Sequence, residues 1–208
     1  MISDAWQGMV DLLDRGQWAM YPLLGLSVLA VTLVFERGWF WAATNNPGRV
    51  AKVRRAGRRL REGDRAGARA IMDGDRSVYG RLLEQMLEGG DGDANVADAV
   101  ERQRGALDRF MPTLGTIITA APMLGILGTV TGIIGAFDLL GEGEIQDVEK
   151  VGGEIGEALV TTGTGLVIAL LVVFPFNAFR AQVDRTLGRM ESLVAAARRE
   201  PTEQTEET

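Results

Sequence analysis

The sequence predicts an all-α membrane protein with three transmembrane helices and long cytoplasmic helical extensions. Two observations carry this. Three runs, 16–35, 110–137 and 158–179, contain no charged side chain. At about 1.5 Å per residue they reach about 30, 42 and 33 Å as helices, enough to cross a hydrocarbon core of about 30 Å. Basic residues are also distributed unevenly around these runs. Segment 36–109 holds 15 of the 22 Lys and Arg residues and segment 180–200 holds five, while residues 1–15 and 138–157 hold one each. The positive-inside rule then puts 36–109 and 180–200 in the cytoplasm and the N-terminus and the 138–157 loop on the opposite, periplasmic side.

Residues 1–15 carry Ile2, Trp6, Met9, Val10 and Leu13 at helical spacing. They read as an interfacial helix on the periplasmic side. The first span, 16–35, is flanked by Trp18, Tyr21, Trp39 and Trp41 as interfacial anchors. The rival reading, a cleaved signal peptide, calls for a basic leading segment. Here Asp4, Asp11 and Asp14 precede the run, with Arg15 as the sole base. The cytoplasmic region 36–109 reads as helices broken at Gly63-Asp64, at Gly74-Asp75 and by a loop over Gly89–Asn95. Asp64 is an expected N-cap for a helix through Met72. From Val96 the sequence predicts a helix running unbroken into the second span.

Beyond the third span, Val183, Leu187, Met190, Val194 and Ala197 recur at three- and four-residue steps. They predict an apolar stripe on a helix over 180–200, packing on the cytoplasmic end of the second span or on another subunit. The acidic tail 201–208 is expected to be disordered.

Composition excludes several function classes. The chain has no cysteine and no histidine. Disulfides, thiol nucleophiles, histidine bases and the usual zinc ligand sets are therefore out. No metal site, cofactor or catalytic constellation is expected. A net charge of −6 gives no support for nucleic-acid binding.

The spans are unusual in what they contain. In 110–137, Pro122, Gly125, Gly128, Thr129, Gly132, Gly135 and Ala136 form one small-residue face. In 158–179, Ala158, Thr161, Thr162, Gly165 and Ala169 do the same. Such faces let helix backbones approach closely, and Gly125, Gly128, Gly132 and Gly165 are the expected packing glycines. The threonines among them belong either to packing alone or to a polar pathway. Glu157 stands at the mouth of the third span, one turn before Thr161. It either captures protons or complements the helix dipole. Pro175 is expected to bend the third span. No span carries a charge at its middle, so if protons move through these spans, their carrier is expected on a partner.

The stretch Ala121-Pro-Met-Leu-Gly-Ile-Leu-Gly-Thr-Val-Thr-Gly-Ile-Ile134 resembles the second-span signature of the MotA/TolQ/ExbB family of proton-channel proteins. Glu157-Ala-Leu-Val-Thr-Thr-Gly-Thr-Gly-Leu166 resembles its third-span signature. Glu36-Arg37 and Asn177 also match, and the three-span layout favours the ExbB/TolQ branch. Two departures stand out: Thr131 occupies a position where the family often has tryptophan. The family's third-span proline usually comes about one turn earlier, at the place of Leu171.

The resemblance implies a homopentamer around a central pore in the inner membrane. It implies a dimer of ExbD/TolR-like single-span partners carrying the proton-binding aspartate, and a TonB-like protein as the driven component. It maps the pore threonines onto Thr129 and Thr162 and the pore-mouth glutamate onto Glu157. The implied role is coupling of proton flow to work on the envelope, most directly TonB-dependent outer-membrane transport. A TolQ-like part in envelope constriction and a non-conducting membrane scaffold are the alternatives.

Overall fold

A computed structural model of the chain describes residues 18–89, 93–141 and 148–198. Among these residues all regular structure is helical: α1 (Met20–Thr44), α2 (Pro47–Arg61), α3 (Arg65–Met72), α4 (Val78–Gly89), α5 (Asp93–Leu107), α6 (Met111–Gly141) and α7 (Val148–Arg198). Three of the helices are long and apolar enough to cross a membrane. The interfacial helix expected over 1–15 and the tail 201–208 lie outside the described residues.

The chain divides into two compact units. One comprises Met1–Phe35 and Phe110–Asn177, the other Glu36–Arg109 and Ala178–Thr208. The first contains the charge-free runs except residues 178–179 and is called the membrane unit below; the second is called the polar unit.

In the membrane unit, α6 buries Leu114, Ile117, Ala121, Gly125, Gly128, Gly132 and Ala136, a three- and four-residue repeat. The matching part of α7 buries Ala158, Thr161, Gly165, Ile168 and Val172; Ala19, just before α1, is buried with Met20, Leu23, Ala30 and Leu33 of α1. Large apolar side chains face outward, among them Val28, Phe35, Met123, Phe137, Leu171 and Phe174. In water such a surface would aggregate; in a bilayer it meets lipid or other spans.

The polar unit is built from short capped helices. Asn46 accepts the Gly48 N–H at 3.0 Å, with Pro47 beginning α2. Asp64 caps α3 by accepting the Gly67 N–H at 2.7 Å. Gly63 and Gly74 take φ of 75° and 69°, left-handed geometry that side chains resist, so glycine closes each turn. After Gly74, Asp75 accepts the Ser77 N–H at 2.9 Å and the Arg49 Nε–H at 3.3 Å. α2 packs on α3, and α4 packs on α5.

Most buried polar groups in this unit are bonded; the indole Nε1 of Trp41 is buried without a partner among the described residues. Arg37, only 1% exposed, grips both carboxylate oxygens of Glu36 at 2.6 and 2.9 Å and donates to the Ala106 carbonyl at 3.2 Å. Its guanidinium also lies 4.4 Å from the Phe40 ring centroid. The fully buried Tyr79 hydroxyl donates to Asn45 Oδ1 at 3.2 Å and reaches Thr186 Oγ1 at 3.4 Å. Arg189 Nη1 donates to Asn45 Oδ1 at 2.7 Å and to Tyr79 Oη at 3.2 Å, and Asn45 Nδ2 donates to Gln182 at 2.9 Å.

Three sequence expectations are corrected. The helix from Val96 does not run unbroken into the second span: α5 ends at Leu107, and Phe110 takes a φ of 64°. The cause is Pro112. In a continuous helix its ring would collide with the Asp108 carbonyl, four residues back. The loop expected over Gly89–Asn95 is shorter, because α4 includes Gly89 and α5 begins at Asp93.

The stripe on the last part of α7 is also rotated. Phe179, Val183, Thr186, Met190, Leu193 and Ala196 are buried, whereas Leu187, Val194 and Ala197 are half-buried. Within its unit it packs on α2, where a Cβ on Gly57 would lie 3.3 Å from Leu193 Cδ2, and on α4 through Tyr79. The buried Thr186 sets this register, since its hydroxyl meets Tyr79.

Candidate functional site

The charge-free spans offer little polar chemistry, so each hydroxyl in them can be followed individually. Most threonines bond back to their own helix. Thr116 donates to Pro112 O at 3.0 Å, Thr164 to Val160 O at 2.9 Å, and Thr131 to Gly128 O at 2.9 Å. Such bonds satisfy a hydroxyl in an apolar medium and leave it locally occupied.

Thr129 and Thr162 differ. Both are half-buried, and their hydroxyl oxygens are in direct hydrogen-bond contact across the α6–α7 crossing. Thr129 Oγ1 also reaches the Ala158 carbonyl on α7 at 3.0 Å and its own-helix Gly125 carbonyl at 3.2 Å. Thr162 Oγ1 donates to Gly125 O on α6 at 2.9 Å. The two hydroxyls thus bridge both helices through two main-chain oxygens. They hold two protons between them. Three acceptor routes compete for those protons: Gly125 O, Ala158 O and the contact between the hydroxyls. Spare lone pairs remain on the threonine oxygens whichever route is filled.

Glycine makes this approach possible. A Cβ on Gly125 would fall 3.0 Å from Thr162 Cα and 3.1 Å from the Thr161 carbonyl oxygen. A Cβ on Gly128 would meet the Thr161 methyl at 2.5 Å and the Cβ of Ala19, the residue before α1, at 3.0 Å. One on Gly165 would strike the Ala121 backbone and lie 3.3 Å from Gly125 Cα. Gly132 is buried on the same face of α6.

Glu157 lies on α7, half-buried, five residues before Thr162. Its main-chain oxygen accepts the Thr161 hydroxyl at 3.2 Å. Its carboxylate makes no hydrogen bond or ion pair among the described residues. The structure therefore joins Thr129 to Thr162 but leaves Glu157 apart from them. The sequence reading missed Ala158 O and Gly125 O, which are backbone atoms. The signal was present as i, i+4 pairs, Gly125–Thr129 and Ala158–Thr162, one on each helix. It also passed over Glu154, whose Oε2 lies 4.0 Å from where a Gly135 Cβ would sit.

Among the described residues no cluster of acidic side chains is able to hold a metal ion. What remains is a paired-hydroxyl site on tightly crossed helices. The sequence profile of the MotA/TolQ/ExbB proton channel family matches residues 75–192, more than half of the chain, and includes both threonines.

The chain belongs to the MotA/TolQ/ExbB proton channel family.

Relatives place it near two named branches of this family. An ExbB-like biopolymer transport protein of Synechocystis sp. is 33% identical over 180 residues, which cover 81% of this chain and 69% of that protein. The Tol-Pal system protein TolQ of Pseudomonas aeruginosa is 27% identical over 195 residues, 83% of this chain and 81% of TolQ. The biopolymer transport protein ExbB of Xanthomonas campestris is 40% identical over a shorter stretch of 87 residues, 42% of this chain and 34% of that ExbB. Membership in this MotA/TolQ/ExbB family, with ExbB and TolQ relatives, makes the chain a membrane protein of a transport and channel family.

Proposed function

We propose that this chain is the channel-wall subunit of a proton-motive-force-driven energy transducer of the ExbB/TolQ kind. The observation that carries the reading is the Thr129–Thr162 hydroxyl pair, set across a glycine crossing in spans without mid-membrane charge. The chain acts in the inner membrane, with its N-terminus periplasmic and its C-terminus cytoplasmic, as the basic-residue distribution supports. Five copies enclose a pore around a dimer of ExbD/TolR-like helices, each with a membrane aspartate. The outward-facing apolar residues of the membrane unit supply surface for lipid and for neighbouring copies. The chain performs no enzymatic chemistry.

The partner aspartate is the proton carrier, and the threonines are its polar stop. A carboxylate at mid-membrane costs about 2.5–3.5 kcal/mol on insertion scales. At rest the two hydroxyls are turned toward Gly125 O and Ala158 O. Rotation about the Cβ–Oγ bonds redirects their protons to an arriving carboxylate. Once protonated, the aspartic acid can instead donate to a threonine lone pair and then leave along apolar wall. A potential of about 150 mV supplies roughly 3.5 kcal/mol per proton, comparable to the cost of the exposed carboxylate. Gly125, Gly128, Gly132 and Gly165 hold the wall, and Glu157 gathers protons at the entrance.

The driven work is transport through a TonB-like protein. The TolQ relative, aligned over most of both chains, favours envelope constriction as the second reading.

The test is Thr162→Val, which keeps the shape and removes the hydroxyl. The complex with its single-span partner assembles as before, while proton flux in vesicles falls about tenfold or more, the scale of losing a charge-assisted bond at a desolvated site. Normal flux with Thr162→Val and Thr129→Val together would overturn the polar-stop role of the threonines, whereas absence of flux in the unsubstituted complex would leave a non-conducting scaffold as the better account.

A further inference from the structure

Within the polar unit, α2 and α7 border a groove of about 520 Å³ that contains four arginines and no carboxylate. Arg54, Arg58 and Arg61 follow one another at steps of four and three on α2, so they share a face. Arg189 faces the groove from α7, with Val53 and Leu193 among its apolar lining. Gly57 lets the helices come close, since a Cβ there would lie 3.3 Å from Leu193 Cδ2.

The charges in this groove are not neutralised. The guanidiniums of Arg54, Arg58 and Arg61 form no ion pair or hydrogen bond among the described residues. Neighbouring Arg59 is paired with Asp64 at 3.3 Å and Glu62 at 3.8 Å, and Arg49 with Asp75 at 3.3 Å. Arg189 is held in place, but only by neutral acceptors: Asn45 Oδ1 at 2.7 Å and the hydroxyl of the fully buried Tyr79 at 3.2 Å. Both bonds use Nη1, which leaves Nε and Nη2 as donors. Arg54, Arg58 and Arg61 are exposed, and with the fixed Arg189 they concentrate positive charge along one groove, which favours an anion there. Planar donor forks of this kind match phosphate oxygens.

We propose that this groove binds a multiply charged phosphate group, the four guanidiniums acting as its receptor and the Ser192 hydroxyl adding a further donor. The group arrives either on a soluble polyphosphate or on an anionic phospholipid headgroup. The site lies wholly in the polar unit and stands independently of the hydroxyl pair.

The test uses the full chain at about 0.15 M salt, where diffuse attraction is screened beyond about 8 Å. In one arm, inorganic pyrophosphate is titrated calorimetrically into protein in neutral detergent. In the other, protein is reconstituted in phosphatidylcholine vesicles containing cardiolipin, and the cardiolipin retained per chain is counted by native mass spectrometry. Arg54→Gln/Arg58→Gln is compared with Lys52→Gln/Arg55→Gln, which removes the same charge outside the groove. Saturable binding in at least one arm is expected, weakened about tenfold or more by the groove pair and less than about twofold by the other pair. Binding in the pyrophosphate arm alone identifies a soluble ligand, and in the vesicle arm alone a headgroup. Absence of saturable binding in both arms overturns the proposal. So does a smaller loss in the groove pair, or an equal loss in the two pairs.

Discussion

The membrane unit and the polar unit are both helical, yet they are held together by opposite means. In the membrane unit the closest contacts are made at glycines: main chain lies against main chain at Gly125 and Gly165, and the small side chains of Thr161 and Ala19 lie against Gly128. Its cross-helix polar bonds are few and centre on Thr129 and Thr162. In the polar unit side chains do the joining: Tyr79, Asn45, Arg189, Thr186 and Gln182 form one network, and Arg37 forms another. The solvent explains the contrast. Lipid gives helices no hydrophobic reason to associate, so close backbone packing must provide it. Water gives that drive freely, so long polar side chains can be buried wherever their bonds are complete.

If that comparison is right, adding volume should harm the first unit most. Gly165→Val places a branched side chain against the Ala121 backbone, which cannot yield without parting α6 from α7. The expected cost is about 3 kcal/mol or more, read as loss of extractable folded protein and a lower unfolding temperature in detergent. Tolerance of valine there would break the comparison.

Deleting one polar atom should matter in the second unit. Tyr79→Phe keeps the ring and removes the hydroxyl shared by Asn45, Thr186 and Arg189. About 1–3 kcal/mol should be lost, measured by denaturant unfolding, because buried partners are left unsatisfied. The hydroxyl-deleting Thr162→Val in the membrane unit should cost less, about 0.6 kcal/mol, since interhelical bonds in membranes average that value. The asymmetry between the two hydroxyl deletions is the sharper form of the comparison.

The smallest effect concerns acid. Burial raises the Asp75 pKa, but the Ser77 hydrogen bonds and the Arg49 charge outweigh it, and the carboxyl titrates below its usual range. A carboxylate with a depressed folded pKa adds stability above its unfolded value of about 3.9 and loses it as pH falls through the lower folded value. Asp75→Asn should remove this acid-dependent component, under about 1 kcal/mol, with little change in the slope of stability near neutral pH.

Much of the fold was legible because charge exclusion is a local property. A run such as 158–179 identifies itself without reference to any other residue. Asp64 was legible as a cap for the same reason. The break before α6 was written in Pro112, but its effect falls on a carbonyl four residues earlier, inside a segment that otherwise favours helix. The register of the last part of α7 could not be read from periodicity, because Thr186 is buried by Tyr79, 107 residues away in sequence. The threonines of the candidate site were recognisable through their motifs. Their contact with one another was not, since it depends on how two glycine faces mesh.

Both threonine hydroxyls converge on the carbonyl oxygen of Gly125. That atom belongs to the peptide backbone, so no exchange of side chains can delete it. A mutational survey of this protein would identify the threonines and would score the glycine as a matter of space alone. The acceptor they share would stay invisible to genetics, and only replacing the amide itself, as an ester for example, would expose its part.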